Sequence, residues 1–172
     1  VRRALFLGRF QPYHNGHQAL IDHIIARNEV DELVIAVGSA QWSHTLKDPF
    51  TAGERIMMIE KALAKTKIAT YILPIEDIER NSLYVAHIRS LTPPFDIVYS
   101  NNTLVQELFS EAGLRVRPLP FVQRHHYEGT KIRQLMIQGD AWKKYVPKPV
   151  VSVLEEISGI ERLRQIAKTD KP

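Results

Sequence analysis

The sequence predicts an α/β fold, a Rossmann-like doubly wound parallel sheet of about five strands with helices on both faces and further helices at the C-terminus. Three observations predict it. Short apolar segments recur at residues 4–7, 33–37, 71–75, 97–99 and 114–116, and each ends in Gly, Ser, Asn or Pro. Each of the first four is followed by a segment with apolar residues at i, i+3, i+4 spacing, the period of a helix packed by one face. The alternation of strand and helix then requires parallel strands with crossovers.

Taken in order, the segment 4–7 leads to a helix opening near Asn15-Gly16-His17 and running to Ala26, with Leu20, Ile21, Ile24 and Ile25 as its buried stripe. The segment 33–37 leads to a helix opening at Thr51, where Thr51-Ala52-Gly53-Glu54 fits a capping box, with Ile56, Ile59 and Leu63 expected inside. The third strand precedes a helix running to Leu91. After Pro147, VVSVLEEISGIERLRQIAK reads as two amphipathic helices broken at Ser158-Gly159, with Arg162, Arg164 and Lys168 expected on a solvated face. At 172 residues, with no internal repeat or low-complexity linker, the chain is expected to form one domain, a core over 1–146 followed by C-terminal helices over 147–172.

Composition narrows the chemistry. Hydrophobic residues make up 44% and charged residues 24%, as expected of a globular protein. No apolar run approaches the roughly 18 residues of a membrane span, and no export leader precedes the first strand, so a cytoplasmic location is expected, with no membrane partner. The formal charge of +4 is spread without a block of Lys or Arg, which suits a small phosphate-bearing substrate rather than nucleic acid. With no cysteine there is no disulfide or thiolate metal site, and the seven His become the residues of interest.

In such sheets ligands sit beyond the carboxyl ends of the strands, so GRFQPYHNGH at 8–17 stands where function is expected. His14 and His17 lie three apart across a helix start. Both imidazoles can therefore face one side of the first turn, beside unpartnered N–H groups and the positive end of the helix dipole. Gly16 admits a phosphate close to the backbone, Gly8 permits a tight exit from the strand, and Arg9 adds fixed positive charge. Taken alone, His14 would be a cap and His17 a surface residue; the string between strand and helix reads as an anion site.

GRFQPYHNGH resembles the HxGH signature of the adenylyl- and cytidylyltransferase superfamily. With GSAQWSHTLKDPFTAGER at 38–55, LTPPFDIVYSNN at 91–102 and YEGTKIR at 127–133, the chain resembles its archaeal-type nicotinamide mononucleotide (NMN) adenylyltransferases. The resemblance implies attack of the NMN phosphate on the α-phosphorus of ATP, giving NAD and pyrophosphate. It implies catalytic roles for His14, His17, Arg9, Lys47 and Arg133 and an ATP site from Gly8, Arg9, Phe10, Gln11, His14, Gly16, His17, Asn101, Thr130 and Arg133. It also implies an NMN site from Ser39, Ala40, Asp77, Asn81 and Tyr84, and a homo-oligomer, a hexamer in this branch. Mg2+ or another divalent ion is expected to arrive on the ATP phosphates, with no metal ligand from protein side chains.

Several positions allow two readings. Lys47, where relatives carry Arg or another polar residue, either reaches the triphosphate as a point charge or is a solvated loop lysine. Asn81 either fixes a carboxamide or caps the following helix; Tyr84, where close relatives carry Trp, either stacks on nicotinamide or packs in the core. Glu128 replaces the usual Ser, Gln134 and Leu135 replace further Arg, and Asn101-Asn102-Thr103 replaces Gly-Asn-Pro. His44 is expected to be structural, and His125 and His126 to line a surface turn. The alternatives in function are a related nucleotidyltransferase with another acceptor, or a module that senses ATP or NAD without turnover.

Overall fold

The structure, a computed structural model, describes residues 1–121 and 128–169. The sheet has five strands, β1 (Arg3–Gly8), β2 (Glu32–Val37), β3 (Ala69–Pro74), β4 (Ile97–Tyr99) and β5 (Arg115–Arg117), all parallel in the order β3-β2-β1-β4-β5. The helices are α1 (Asn15–Ala26), α2 (Ala52–Ala62), α3 (Tyr84–Leu91), α4 (Thr103–Glu111), α5 (Gly129–Gln138), α6 (Lys148–Glu156) and α7 (Gly159–Thr169). The Rossmann-like architecture is the one expected, with strand ends shifted by up to two residues.

Strand alternation explains the layers. Ala4 and Phe6 of β1, with Leu33, Ile35 and Val37 of β2, point to one face, where Ile21 and Ile24 of α1, Met58 and Ile59 of α2, Ile132 and Met136 of α5 and the apolar sides of α6 and α7 cover them. Leu5, Val34, Ala36 and Val98 point to the other, under Ile88 of α3 and Phe109 of α4. Fully burying each such side chain contributes roughly 1.5–3 kcal/mol. In α2 the buried positions fall on Met58, Ile59 and, unexpectedly, Arg55, with Leu63 buried at the C-cap, while Ile56 is only partly covered.

Register pairs Phe6 with Ile35 on one side and with Tyr99 on the other, so β1 is central. The chain builds outward through β2 and β3, then crosses back to place β4 on the far side of β1. The order reverses between β1 and β4, and a crevice opens there at the carboxyl ends.

The break between α6 and α7 falls at Ser158, whose φ is 52°. Arg162 and Arg164, expected in solvent, are instead fixed. The Arg162 guanidinium donates to both Glu54 carboxylate oxygens at 2.7 Å and to the Pro49 carbonyl at 3.1 Å. Arg164 donates to the Met136 and Gly139 carbonyls at 3.0 Å each, satisfying acceptors left at the end of α5. Lys168 is exposed. Periodicity placed these arginines on the polar side of α7, but their partners lie far away in sequence.

Candidate active site

The turn after β1 is a packed aromatic and imidazole cluster. Phe10 has a positive φ of 56°, and its ring folds back beneath the strand end, where a Cβ on Gly8 would meet it at 2.6 Å. Glycine at position 8 is thus required by close approach. The Phe10 ring meets His17 edge-on at 4.7 Å, and the His14 and His17 rings stack at 3.7 Å with planes 23° apart.

His14 is the N-cap of α1, and its Nδ1 accepts from the N–H groups of Gly16 at 3.1 Å and His17 at 3.4 Å. In return His17 Nδ1 accepts from the His14 N–H at 3.1 Å, so two imidazoles form a capping box usually built from hydroxyl and carboxylate. The expectation of unpartnered N–H groups at Gly16 and His17 is corrected: His14 has taken them. With each Nδ1 accepting, each neutral ring carries its proton on Nε2. Burial, then the charge of Arg133, pulls the His14 pKa down to about 3; burial, then His14, holds His17 well below its ordinary value. At neutral pH the pair is therefore neutral, with its N–H groups at Nε2 beside the helix dipole.

Three ties bind this turn to the segment 38–51. Arg9 Nη2 donates to both oxygens of buried Asp48, at 2.9 and 3.0 Å. Gln11 donates from Nε2 to the Phe50 carbonyl and accepts the Phe50 N–H at Oε1, both at 3.0 Å. Arg55 donates to the carbonyls of Arg9 and Gly38 at 2.8 Å and of Ser39 at 3.2 Å. From α5, Arg133 donates to the Gln11 carbonyl at 2.8 Å and to the Thr130 hydroxyl at 3.3 Å.

Two cavities open around the histidines. One, of about 550 Å3, is lined by Arg9, Lys47, Thr130 and Arg133 with His14 and His17. The other, of about 320 Å3, lies at the β1/β4 crevice and is lined by Gly16, Ser100, Asn101, Leu119 and Phe121, again with His14 and His17. The first carries three cationic side chains, the donors a polyphosphate needs; the second is smaller and mixes Leu20 and Leu119 with the polar Ser100, Asn101 and Asn102.

The residues expected on the acceptor side, Ser39, Ala40, Asp77, Asn81 and Tyr84, line neither cavity; Ser39 and Ala40 follow β2, and the other three follow β3. Ser39 Oγ donates to Asp77 Oδ2 at 2.7 Å, and the Ala40 N–H donates to the Ile75 carbonyl at 3.1 Å, carrying the sheet pairing past the strands. Asn81 is exposed and opens a 3-10 turn; Leu83, not Asn81, precedes α3, and no side chain caps that helix. Tyr84 is half-buried, meets Phe109 edge-on at 6.1 Å, and has its phenol pKa raised by burial and then by Asp77.

Comparison with known proteins bears on this geometry. Residues 5–135 match the cytidylyltransferase-like family. Proteins named nicotinamide-nucleotide adenylyltransferase are 54% identical in Methanocorpusculum labreanum, over 99% of this chain and 100% of that one, and 53% identical in Halorubrum lacusprofundi, over 98% and 94%. The chain belongs to the nicotinamide-nucleotide adenylyltransferases, a nucleotidyltransferase family. The protein of that name from Archaeoglobus fulgidus is 51% identical over 98% of this chain and 99% of its own length. A bifunctional NMN adenylyltransferase/ADP ribose pyrophosphatase from Francisella tularensis, complexed with AMP and a manganese ion, shares the fold with a TM-score of 0.77 at 20% identity. This chain is covered to 97% and spans about half, 53%, of that one.

Two of the residues expected at the ATP site commit their side chains to backbone. The Gln11 side chain is buried with its amide spent on Phe50. Asn101 spends its amide in the same way, donating to the Leu119 carbonyl at 2.7 Å and accepting the Leu119 N–H at 2.8 Å. Both stand beside a cavity, but their side chains hold its rim. Lys47 lines the first cavity and is exposed, so its two readings coexist in one conformation. Glu128 precedes α5, is exposed, forms no side-chain cap and lines neither cavity. His44 has a positive φ of 59° with its Nδ1 2.8 Å from Ser43 Oγ. His125 and His126 lie outside the described residues, as does Tyr127 of the YEGTKIR block. Sequence reasoning missed Asp48, Phe50 and Arg55; the available signal was a charged residue, Arg55, on the same helical face as Ile59.

Proposed function

We propose that the chain transfers AMP from ATP to NMN. An oxygen of the NMN phosphate forms a bond to the α-phosphorus, the bond from that phosphorus to the bridging oxygen of the β-phosphate breaks, and pyrophosphate leaves. The observation that carries this is the position of His14 and His17, whose Nε2–H donors stand where a cationic cavity meets the slot at the β1/β4 crevice. Triphosphate in the first and adenosine in the second would bring the α-phosphate to these donors. The NMN phosphate is already anionic near neutral pH, its second pKa being about 6, so no serine or cysteine nucleophile is needed. The work of the site is alignment and stabilisation of charge shifting towards the leaving pyrophosphate.

Arg9, Lys47 and Arg133 supply the positive charge in this reading, and Thr130 a hydroxyl. Among the described residues no carboxylate lines the phosphate cavity, and Asp48 is held by Arg9. The divalent ion, Mg2+ in this proposal, therefore enters on the phosphate oxygens as part of the substrate. Among the described residues no helix is long and apolar enough to cross a membrane. A cytoplasmic location, ATP and NMN as substrates with no nucleic-acid or membrane partner, a homo-oligomer and the single domain spanning 1–172 belong to the same proposal, resting on the resemblance to the family. The test is incubation with Mg2+, ATP and NMN: equimolar NAD and pyrophosphate are expected, and binding without NAD would favour a sensor.

Tyr84 serves the acceptor in this proposal. Tyr84→Ala should weaken NMN by roughly 1–3 kcal/mol while ATP binding stays nearly unchanged. Equal losses for both nucleotides, read by calorimetry, would assign the ring to packing against Phe109 alone. Because Glu128 is exposed and lines neither cavity, Glu128→Ser is expected to leave the ATP dissociation constant within experimental error at every Mg2+ concentration. Tighter ATP binding in that variant would place the carboxylate in the phosphate field.

A further inference from the structure

The turns after β1 and β2 are built alike. Gly8 and Gly38 close the two strands side by side, the Gly38 N–H donating to the Gly8 carbonyl at 2.8 Å. Each turn then holds a non-glycine residue in the left-handed region, Phe10 at φ 56° and Ser39 at φ 49°. This geometry turns carbonyls out of the ladder, where they need a donor.

One buried cation supplies it. Arg55 is fully buried, and its Nη1 donates to the Arg9 and Gly38 carbonyls at 2.8 Å each. Its Nη2 reaches the Ser39 carbonyl and its Nε the Thr51 carbonyl, both at 3.2 Å. A planar guanidinium spans such divergent acceptors, whereas a lysine ammonium, a compact point donor, does not. Burial lowers the Arg55 pKa to about 10, with Asp48 opposing the shift, so the group stays charged at neutral pH. None of these hydrogen bonds goes to a carboxylate. A charge kept dry without a bonded counter-ion is a poor stabilising device, and this one is aimed at the two turns.

What the turns carry gives the arrangement its meaning. The first leads directly into His14 and the phosphate cavity; the second carries Ser39, whose hydroxyl holds Asp77. We propose that Arg55 is a positioning residue that fixes the ATP-side turn and the NMN-side turn relative to each other, so that the acceptor phosphate meets the α-phosphorus in line. The proposal rests on the reading of the reaction given above.

Arg55→Lys tests it. A displacement of about 1 Å between reactants can cost on the order of 10²-fold, so kcat should fall by about that factor, while dissociation constants for ATP alone and NMN alone shift by less than about threefold. In Arg55→Ala, millimolar guanidinium should restore part of kcat and equal urea should not. Hydrogen exchange at 9–14 and 38–41 should quicken together in Arg55→Lys, with the centres of β1 and β2 unchanged. Wild-type kcat in Arg55→Lys would overturn the proposal. So would equal weakening of both nucleotides with lowered stability and no recovery by guanidinium, which marks simple packing. If the unmodified protein makes no NAD, the reading of the reaction fails, and exchange then decides the role of Arg55 alone: unchanged rates in both turns overturn it. Should Arg55→Ala not fold, the lysine variant carries the test.

Discussion

His17→Ala is expected to lower kcat by about two to three orders of magnitude while changing KM for ATP much less, because loss of one preorganised donor at developing charge typically costs that much. The expectation follows from the lock on the ring: Nδ1 is committed to the His14 N–H, so Nε2–H is the group left to face the reaction. Substitution also removes the stacking partner of His14, at 3.7 Å, and one half of the α1 capping box. A structural share of the loss is therefore built in, and thermal melting of the variant separates it: a cap costs about 0.5–2 kcal/mol of stability. A folded variant with ordinary kcat would remove His17 from the chemistry.

Arg162→Ala is expected to destabilise the protein by about 2–3 kcal/mol at pH 7, between the value of a hydrogen bond to a charged group and that of a broken buried ion pair. On a chain of this size that corresponds to a fall in Tm of roughly 4–12 °C. The partner, Glu54, also accepts the Thr51 N–H at 2.8 Å, so the pair anchors α7 on the start of α2. Burial works to raise the Glu54 pKa, but Arg162 and Thr51 outweigh it and bring it down to about 2. The sign follows: a carboxyl depressed on folding stabilises above its unfolded value near 4.5, and that contribution is lost as pH falls towards 2. The difference in Tm between wild type and Arg162→Ala should therefore shrink between pH 7 and pH 3. A difference that is absent, or constant over that range, would show the ion pair to be incidental.

The strands were legible because apolar runs bounded by turn residues leave little choice of structure, and the order of strands and helices then dictates parallel pairing. His14 and His17 were legible because spacing across a helix start puts both on one turn. The backbone partners of Gln11 and Asn101 were not legible, because a sequence shows that an amide is polar but not whether a backbone peptide waits opposite it. Arg162 and Arg164 were misread for a related reason: a helix period reports which side is polar, whereas Glu54 and the end of α5 reach that side only through the tertiary fold. The acceptor side was the least legible, since Asp77 lies in irregular chain after β3 and Asn81 and Tyr84 follow in a short 3-10 turn and at the first residue of α3, where too few residues share a period to constrain direction.

The paired amides at Gln11 and Asn101 carry a consequence for how this chain can age and drift. Each behaves as a borrowed peptide unit, presenting one donor and one acceptor in a plane to the backbone of Phe50 or Leu119. Hydrolysis of either amide to the acid replaces its N–H2 with an oxygen facing a carbonyl, turning attraction into repulsion at the rim of the first cavity for Gln11 and of the crevice for Asn101. Conversion to Glu or Asp by mutation has the same effect, and an aliphatic isostere leaves a peptide N–H and C=O without partners. These positions should therefore tolerate very few replacements although neither performs chemistry, and slow deamidation there would loosen the rims of the two cavities while leaving the histidines intact.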